Sequence, residues 1–544
     1  MNDSKHNIVF AVMVNESLLK QWQLACIEKL IDNGCHCALF ISNPGENERK
    51  SGFFHKLVKR DSLYRFLLNR LFQVDAEKEV RLPQNIPVLT IKAQAGKHSH
   101  RFSVSDIESI QDFQPDFILR FGYNILKGDI LNCCPYGVWS FHHGDEQKYR
   151  GGPFGFWEIL RRDYCSGVIL QRLTERLDAG HVLLKRNYIT IFHSWKEMRQ
   201  RLLLENTDMP LLAARKFISN KEPIPEPADT TAKLYKTPSL FVMLFFVFRL
   251  MLSRAIFHFR RLFIYERWHV ESGLVSNSPF DLMKPDFEWN PKNRREFLAD
   301  SFVCVTSQSF HIYAESFSYK LGKGSISVAS SDGTVKQLIE RPTHLAYPYI
   351  FEYDNNRWLI PENADSGSCI AYQLSECGDI IREHVLLNLP VVDPSVVFFE
   401  DRFYLFCGLK NDYPNEKLYV FWANEFYGEW TPHFLNPVKV SPVGSRSGGT
   451  IFEWQNNYYR PAQVSQRFYG EKVQIYNILQ LSPHEFSEVI ECEILPESIN
   501  KKASGLHTFS LSDKRYVVDL KFHRLGLAAF GFRWNLGKKG RSHV

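Results

Sequence analysis

The chain has 544 residues, 44% of them hydrophobic, 14% aromatic and 23% charged, with a formal net charge of +6. This composition excludes a disordered or collagen-like chain and leaves room for about two to four domains. It is too weakly basic over this length to suggest a nucleic-acid partner. The 11 cysteines form no Cys-x-x-Cys pair. No metal site is read from them, and free thiols in a reducing compartment fit best. Residues Met1 to His6 run straight into an apolar stretch without a signal-peptide pattern, so the expected location is cytoplasmic.

Asn7 to Met13 is an almost continuous apolar run, as a strand buried on both faces requires. Glu16 to Asn33 reads as a helix, with Leu19, Trp22, Cys26 and Leu30 at three- and four-residue steps and Gly34 as its stop. Cys37 to Ile41 is a second strand, so the chain opens as a βαβ unit of a doubly wound sheet. No Gly-x-Gly-x-x-Gly follows the first strand, which disfavours a dinucleotide site. Pro87 to Ile91 reads as a strand, Ser105 to Phe113 as a short helix capped by Ser103 or Ser105, and Pro115 to Tyr123 as a strand entering a loop.

The organising stretch follows. Trp139-Ser140-Phe141-His142-His143-Gly144-Asp145 delivers a histidine pair from a strand, Tyr149-Arg150-Gly151-Gly152-Pro153 makes a glycine-rich turn, a helix starts near Phe154, and Leu177-Asp178-Ala179-Gly180 ends a strand pair on an aspartate. Histidine plus aspartate at neighbouring strand ends is a proton-transfer arrangement, and equally a structural pair that orients a loop. These three elements, in this order, resemble the formyltransferases that use 10-formyltetrahydrofolate, over about residues 7 to 190. The resemblance implies that His142, Asp178 and Ser140 are catalytic, with Ser140 standing where the family has asparagine. It further implies folate contacts at Phe121, Gly122, Tyr123 and Asp178, and acceptor contacts at His143, Asp145, Tyr149, Arg150 and Gly151. With the shorter serine, a bridging water, His143 or Asp145 would have to compensate for the asparagine, or activity would be impaired.

Ser194 to Ser219 is a helical pattern that closes the first domain, and Lys221 to Asp229 reads as a linker. Leu240 to Phe248 is an unbroken apolar run, too short by itself to span a bilayer. The helical pattern continues to about Trp268 with Arg249, Arg254, Arg260, Arg261 and Arg267 on one arc. Two readings stand for 240–268: a helix lying at a membrane surface, here the inner face of the cell membrane, and a helix docked between domains.

From about Asp286 short aromatic and β-branched strands take over. Five similar strand pairs recur, starting at Ala299, His344, Val392, Ser447 and Gly505, a period that suggests the blades of a five-bladed propeller. This half resembles glycoside hydrolase family 43-type propellers, and the runs His344-Leu345-Ala346-Tyr347-Pro348, Asp393-Pro394-Ser395 and Arg460-Pro461-Ala462-Gln463 bring it closer still to a domain found beside sugar-transferring enzymes. It also resembles the N-terminal domain of glucosamine inositolphosphorylceramide transferases. The resemblance implies a sugar site at Asp300, Glu315, Glu362, Asp393 and Arg460. Converging carboxylates serve either glycosidic cleavage or plain carbohydrate binding.

The expected architecture is therefore an α/β Rossmann-like formyltransferase domain (1–220), a linker with a basic amphipathic helix (221–285), and a mainly-β five-bladed propeller (286–544). The expected activity is N-formylation of a nucleotide- or lipid-linked amino sugar in surface polysaccharide synthesis, with 10-formyltetrahydrofolate as donor. A homodimer is left open. The alternatives are a propeller-based glycoside hydrolase or sugar transferase, a methionyl-tRNA formyltransferase-like activity, and a binding protein whose Ser140 marks a lost active site.

Overall fold

The computed structural model describes residues 7–16, 18–44, 62–96, 99–176, 179–293, 295–306, 309–375 and 378–525. It divides into two compact units, 1–255 and 256–544.

The first unit is built on a mostly parallel sheet. Strand β1 (Val9–Asn15) pairs in parallel with β2 (His36–Asn43), which pairs with β3 (Val88–Thr90). On its other side β1 pairs with β4 (Phe117–Arg120), and β4 with β5 (Val138–His142), again in parallel. The hairpin β6 (Cys165–Arg172) and β7 (His181–Ile189) completes that edge antiparallel. The parallel order 3-2-1-4-5 places the topological switch between β1 and β4, where such sheets bind ligands beyond their strand ends. The apolar run of β1 is buried because both sheet faces are covered.

Helix α1 (Gln21–Asp32) begins later than its periodicity suggests. Leu18–Lys20 pairs with β1 and with Glu79–Arg81 instead, because an edge strand satisfies its backbone there. Helix α2 (Val104–Gln111) is capped by Ser103, whose Oγ accepts from Asp106 N while the Asp106 carboxylate accepts from Ser103 N. Helix α3 (Phe156–Arg161) follows the glycine-rich turn. The pattern from Ser194 to Ser219 breaks into α4 (Trp195–Leu204), α5 (Met209–Ala213) and a π-helical turn at Ala214–Ser219. The break falls where Asn206 Nδ2 donates to the Leu202 carbonyl and Pro210 opens the next helix.

The stretch 221–285 holds regular structure. Helix α6 (Leu240–Phe263) crosses the division between the units and ends at Phe263 rather than near Trp268. Ile264–Leu274 is strand β8, in which Trp268 and Val270 alternate inward and every residue pairs with the last strand of the chain. A two-residue period with a full ladder of partners outweighs the helical run-on.

In the second unit the described residues form five antiparallel sheets of four or five strands. Four of them open on β9 (Glu296–Val305), β11 (Ala346–Tyr353), β13 (Val391–Phe399) and β14 (Val443–Ser447). Their second strands are β10 (Phe310–Ser318), β12 (Asn356–Glu362), Arg402–Leu409 and β15 (Asn457–Val464). The fifth sheet pairs β8 and β16 (Gly505–Ser512) with β17 (Arg515–Leu525). The five sequence repeats thus map onto one strand pair in each sheet.

Candidate functional sites

In the first unit the candidate residues collect at the carboxyl ends of β1, β4 and β5. Register places Arg120 between Met13 and Ser140. Phe121 N and Gly122 N both donate to the Met13 carbonyl, and Tyr123 N donates to Asn15 Oδ1 at 2.8 Å. A Cβ on Gly122 would lie 2.2 Å from the Val14 carbonyl carbon, so only glycine lets this loop fold over the end of β1. The Tyr123 hydroxyl donates to the Ile91 carbonyl at 3.0 Å, turning that ring into the core. Phe121 packs edge-on against Trp22.

His142 is buried, and its Nε2 lies 2.8 Å from the Tyr149 carbonyl. A carbonyl only accepts, so Nε2 carries a proton. Gly144 permits this contact, since a Cβ there would come within 2.8 Å of His142 Nε2 and 2.7 Å of the Tyr149 oxygen.

Ser140 Oγ accepts from Arg120 Nη1 at 3.1 Å, and Arg120 Nη2 donates to the Tyr123 and Asn124 carbonyls. Arg120 was not singled out from the sequence, where it looked like one more strand residue. Its register beside Ser140 brings a guanidinium to the position that the formyltransferase resemblance assigns to asparagine.

The two residues expected to compensate for Ser140 do not face that chemistry. His143 packs against Trp22, Phe141 and Phe154, and burial, then the neighbouring His142, pushes it down to about 3. It is a neutral packing ring. Asp145 is 2.7 Å from Lys185 Nζ and accepts from Gln147 N. Lys185 also reaches Glu146 at 3.1 Å.

The Tyr-Arg-Gly turn is held by a short parallel bridge, Arg150 to Leu234 and Gly151 to Tyr235. Gly151 has φ 79°, and a Cβ would meet the Tyr235 carbonyl at 2.3 Å. The Tyr149 ring lies 5.5 Å from that of Tyr235, and Arg150 Nη1 points to the Ala232 carbonyl. Tyr149, Arg150 and Gly151 therefore hold the turn whose Tyr149 carbonyl meets His142. Asp178 lies outside the described residues. Glu158, on α3, is buried, and burial raises it to about 8, so it is uncharged near neutral pH.

The second unit brings together four of its five expected residues. In each of the five sheets a register shift interrupts the repeat's strand pair, between Ala299/Phe302, Ala346/Tyr349, Val392/Ser395, Val443/Ser447 and Leu506/Phe509. At or just beyond these bulges sit Asp300, Tyr347, Asp393, Gly449 and His507. Asp300, Tyr347 and Asp393 have φ of 51°, 47° and 48°. A left-handed residue on a bulge re-aims its side chain out of the pleat.

His507 Nε2 is 2.9 Å from Asp300 Oδ1, and Nδ1 is 2.8 Å from Asp519 Oδ2. Burial would lower His507, but Asp519 and Asp300 override it and hold the imidazole at about 10. Donor atoms of Asp300, His507 and Asp519 lie within 4.8 Å of one another. With His507 protonated, this trio is an ion-pair chain, since an imidazolium offers no lone pair.

Asp393 is fully buried between Arg446, at 2.5 Å, and Gln463 Nε2, at 3.1 Å. Burial, then Asp300 and Glu362, raises Glu315 well above the usual carboxylate range. Burial, then Asp393, does the same to Glu362. Tyr347 Oη accepts from Gly449 N at 2.8 Å and lies 3.0 Å from Ser395 Oγ.

Arg460 is placed elsewhere. It is fully buried and forks onto Glu488, with Nε and Nη2 at 2.9 and 2.7 Å from its carboxylate oxygens, and Nη2 also reaches the Gly444 carbonyl. On β15 it lies three residues from Gln463, hence on the opposite face. Arg446 takes the place beside Asp393 that the sequence reading gave to Arg460. Neither His507, Asp519 nor Arg446 stands out locally, because each becomes informative only when separate sheets bring it to a carboxylate.

Residues 288–514 match the family model of the N-terminal part of glucosamine inositolphosphorylceramide transferase 1. The rice (Oryza sativa subsp. japonica) glucosamine inositolphosphorylceramide transferase 1 is 29% identical over 230 residues, which is 40% of this chain and 30% of that protein. Methionyl-tRNA formyltransferase of Borreliella afzelii (strain PKo) is 31% identical over 111 residues, 20% of this chain and 35% of that protein. The chain thus spans about a third of the length of these curated relatives. Among solved structures, an exo-β-1,3-galactanase from Phanerochaete chrysosporium aligns with 37% of this chain and 50% of its own, at 13% identity and a TM-score of 0.31.

Proposed function

We propose that the first unit moves a formyl group from 10-formyltetrahydrofolate to the amine of an amino sugar, and that the second unit binds carbohydrate through five sheets closed as a propeller. The observation that carries the reading is the placement of His142, Ser140 and Arg120 side by side at the switch point of a parallel sheet. The similarity to a methionyl-tRNA formyltransferase supports it.

In this reaction the amine attacks the formyl carbon, a new C–N bond forms and the bond from that carbon to the folate nitrogen breaks. The amine proton ends on the folate nitrogen. Charge gathers on the formyl oxygen, and a fixed donor there contributes about 3 kcal/mol. Arg120, braced by Ser140 and two carbonyls, would be the cation that meets that oxygen. His142 receives or delivers the proton at Nδ1 while Tyr149 holds Nε2. Asp178 would complete the relay.

The test is release of tetrahydrofolate from 10-formyltetrahydrofolate, using the purified full chain with a panel of nucleotide-linked and lipid-linked amino sugars. Release that depends on one acceptor, and drops at least about a hundredfold in His142→Ala, is the expected result. Release unaffected by that substitution would end the catalytic assignment.

A second reading has its own observation. Glu362, raised by burial and then by Asp393, lies beside the Arg446-paired Asp393, with Glu315 raised next to Glu362, an arrangement that suits a general acid next to a second carboxylate. Hydrolysis or transfer of a glycoside that is lost in Glu362→Gln, with no folate-dependent turnover, would favour this reading over the first.

A further inference from the structure

Helix α6 presents a surface that neither candidate site uses. Its packed face is narrow. Met243 and Phe246 are buried, the Phe246 ring stacks on Phe156 at 4.2 Å, and Arg249 Nη1 donates to the Leu160 carbonyl at 3.0 Å. The remaining face is apolar and exposed, with Phe241 at 80%, Met251 at 67%, Phe248 at 61% and Leu244 at 54%. The helix has 24 residues, and an 18-residue window within it reaches a mean hydropathy of 2.1 with only 17% of that window buried.

The charge around it is of one sign. From Thr230 to Tyr265 there is no Asp or Glu, while Lys233, Lys236, Arg249, Arg254, Arg260 and Arg261 give a formal +6. That equals the net charge of the whole chain, so the rest is neutral overall and the excess is concentrated here. Exposed Phe, Leu and Met flanked by arginines match the chemistry of an anionic lipid surface, where rings enter the acyl boundary and guanidinium groups meet phosphates.

The docked face decides between spanning and lying flat. Met243, Phe246 and Arg249 are engaged with the folded first unit, and the stretch beyond them, 250–263, is too short to cross a bilayer by itself. We propose that α6 is an interfacial membrane anchor. It lies in the plane of an anionic bilayer, with Phe241, Leu244, Phe248 and Met251 inserted and Arg254, Arg260 and Arg261 on the headgroups. The proposal is independent of the formyl-transfer reading.

The experiment is flotation of the purified full chain with vesicles of phosphatidylcholine alone or mixed with phosphatidylglycerol. Binding is expected to the mixed vesicles only, with release by high salt and by alkaline carbonate. Arg254→Glu with Arg260→Glu and Arg261→Glu should weaken it about tenfold or more. Phe241→Asp with Phe248→Asp, at positions exposed enough to leave folding intact, should abolish it. Binding to neither vesicle, or equally to both, would overturn the proposal. Retention through carbonate would overturn it in favour of a spanning helix. A concentration-dependent dimer in sedimentation velocity that Phe241→Asp dissolves, without vesicle binding, would assign the face to a second copy of the chain.

Discussion

Asp393 has no exposed surface, and its charge is met by Arg446 and Gln463. Removing one partner of a buried ion pair leaves the other charge stranded in low dielectric, which costs about 3 to 5 kcal/mol. Arg446→Met should therefore destabilise the second unit by about that amount in urea denaturation. Arg446→Met combined with Asp393→Asn should recover most of the loss, because the amide needs no counter-charge. A double variant no more stable than the single would show that Arg446 acts through packing alone. The same logic explains why Arg460 misleads a reader of the sequence. It occurs in an Arg-Pro-Ala-Gln run, and the two-residue period of β15 sends Gln463 to Asp393 while Arg460, on the other face, meets Glu488.

At the scale of the element, α6 separates packing from exposure on a single helix. Phe246 is fully buried against Phe156 and Trp195, whereas Phe241 is 80% exposed. Phe246→Ala should destabilise the first unit by about 3 to 5 kcal/mol. Phe241→Ala should change it by less than about 0.5 kcal/mol, and denaturant midpoints of the two variants check this. Equal effects would mean that the exposed face is covered by something else in solution. The helix also shows where periodicity was and was not legible. Its start and its arginines can be read directly, as can β1, β2, β4 and β5 from their apolar runs. Its end cannot, because the change to a strand at Ile264 depends on pairing with β17, where its partner is Leu525 at the far end of the second unit's described chain. The histidine pair and the carboxylates of the repeats were visible as motifs. Arg120 and His507 were not, since their roles come from register and from bulges that no local pattern encodes.

At the scale of the whole molecule, the two units should answer to alkali through different groups. In the first, Glu158 is raised by burial from 4.5 to about 8. Its native form holds a proton that the unfolded chain has already lost, so this contribution falls as pH rises toward 8, at up to about 1.4 kcal/mol per pH unit. His143, pushed down to about 3, opposes this only below 6.5, where the unfolded imidazole gains the proton that the native ring refuses. In the second unit His507 keeps its proton to about 10 against 6.5 unfolded. Its contribution is fully present below 6.5 and is lost as pH rises through 10, and Glu315 and Glu362, held protonated by burial, act in the same direction. Hydrogen exchange on the full chain at several pH values reads both units at once. In the first, the Glu158 contribution is spent by about pH 8. A further decline sets in toward 9, where the unfolded thiols of Cys26 and Cys37 ionise while burial keeps the native ones protonated. Protection of the second falls through the same range toward 10. His507→Gln should flatten the second slope by about 1.4 kcal/mol per pH unit. A second unit whose protection does not change between pH 8 and 10 would mean that His507 is not held as an imidazolium between Asp300 and Asp519, and the ion-pair chain would have to be redrawn around a neutral ring.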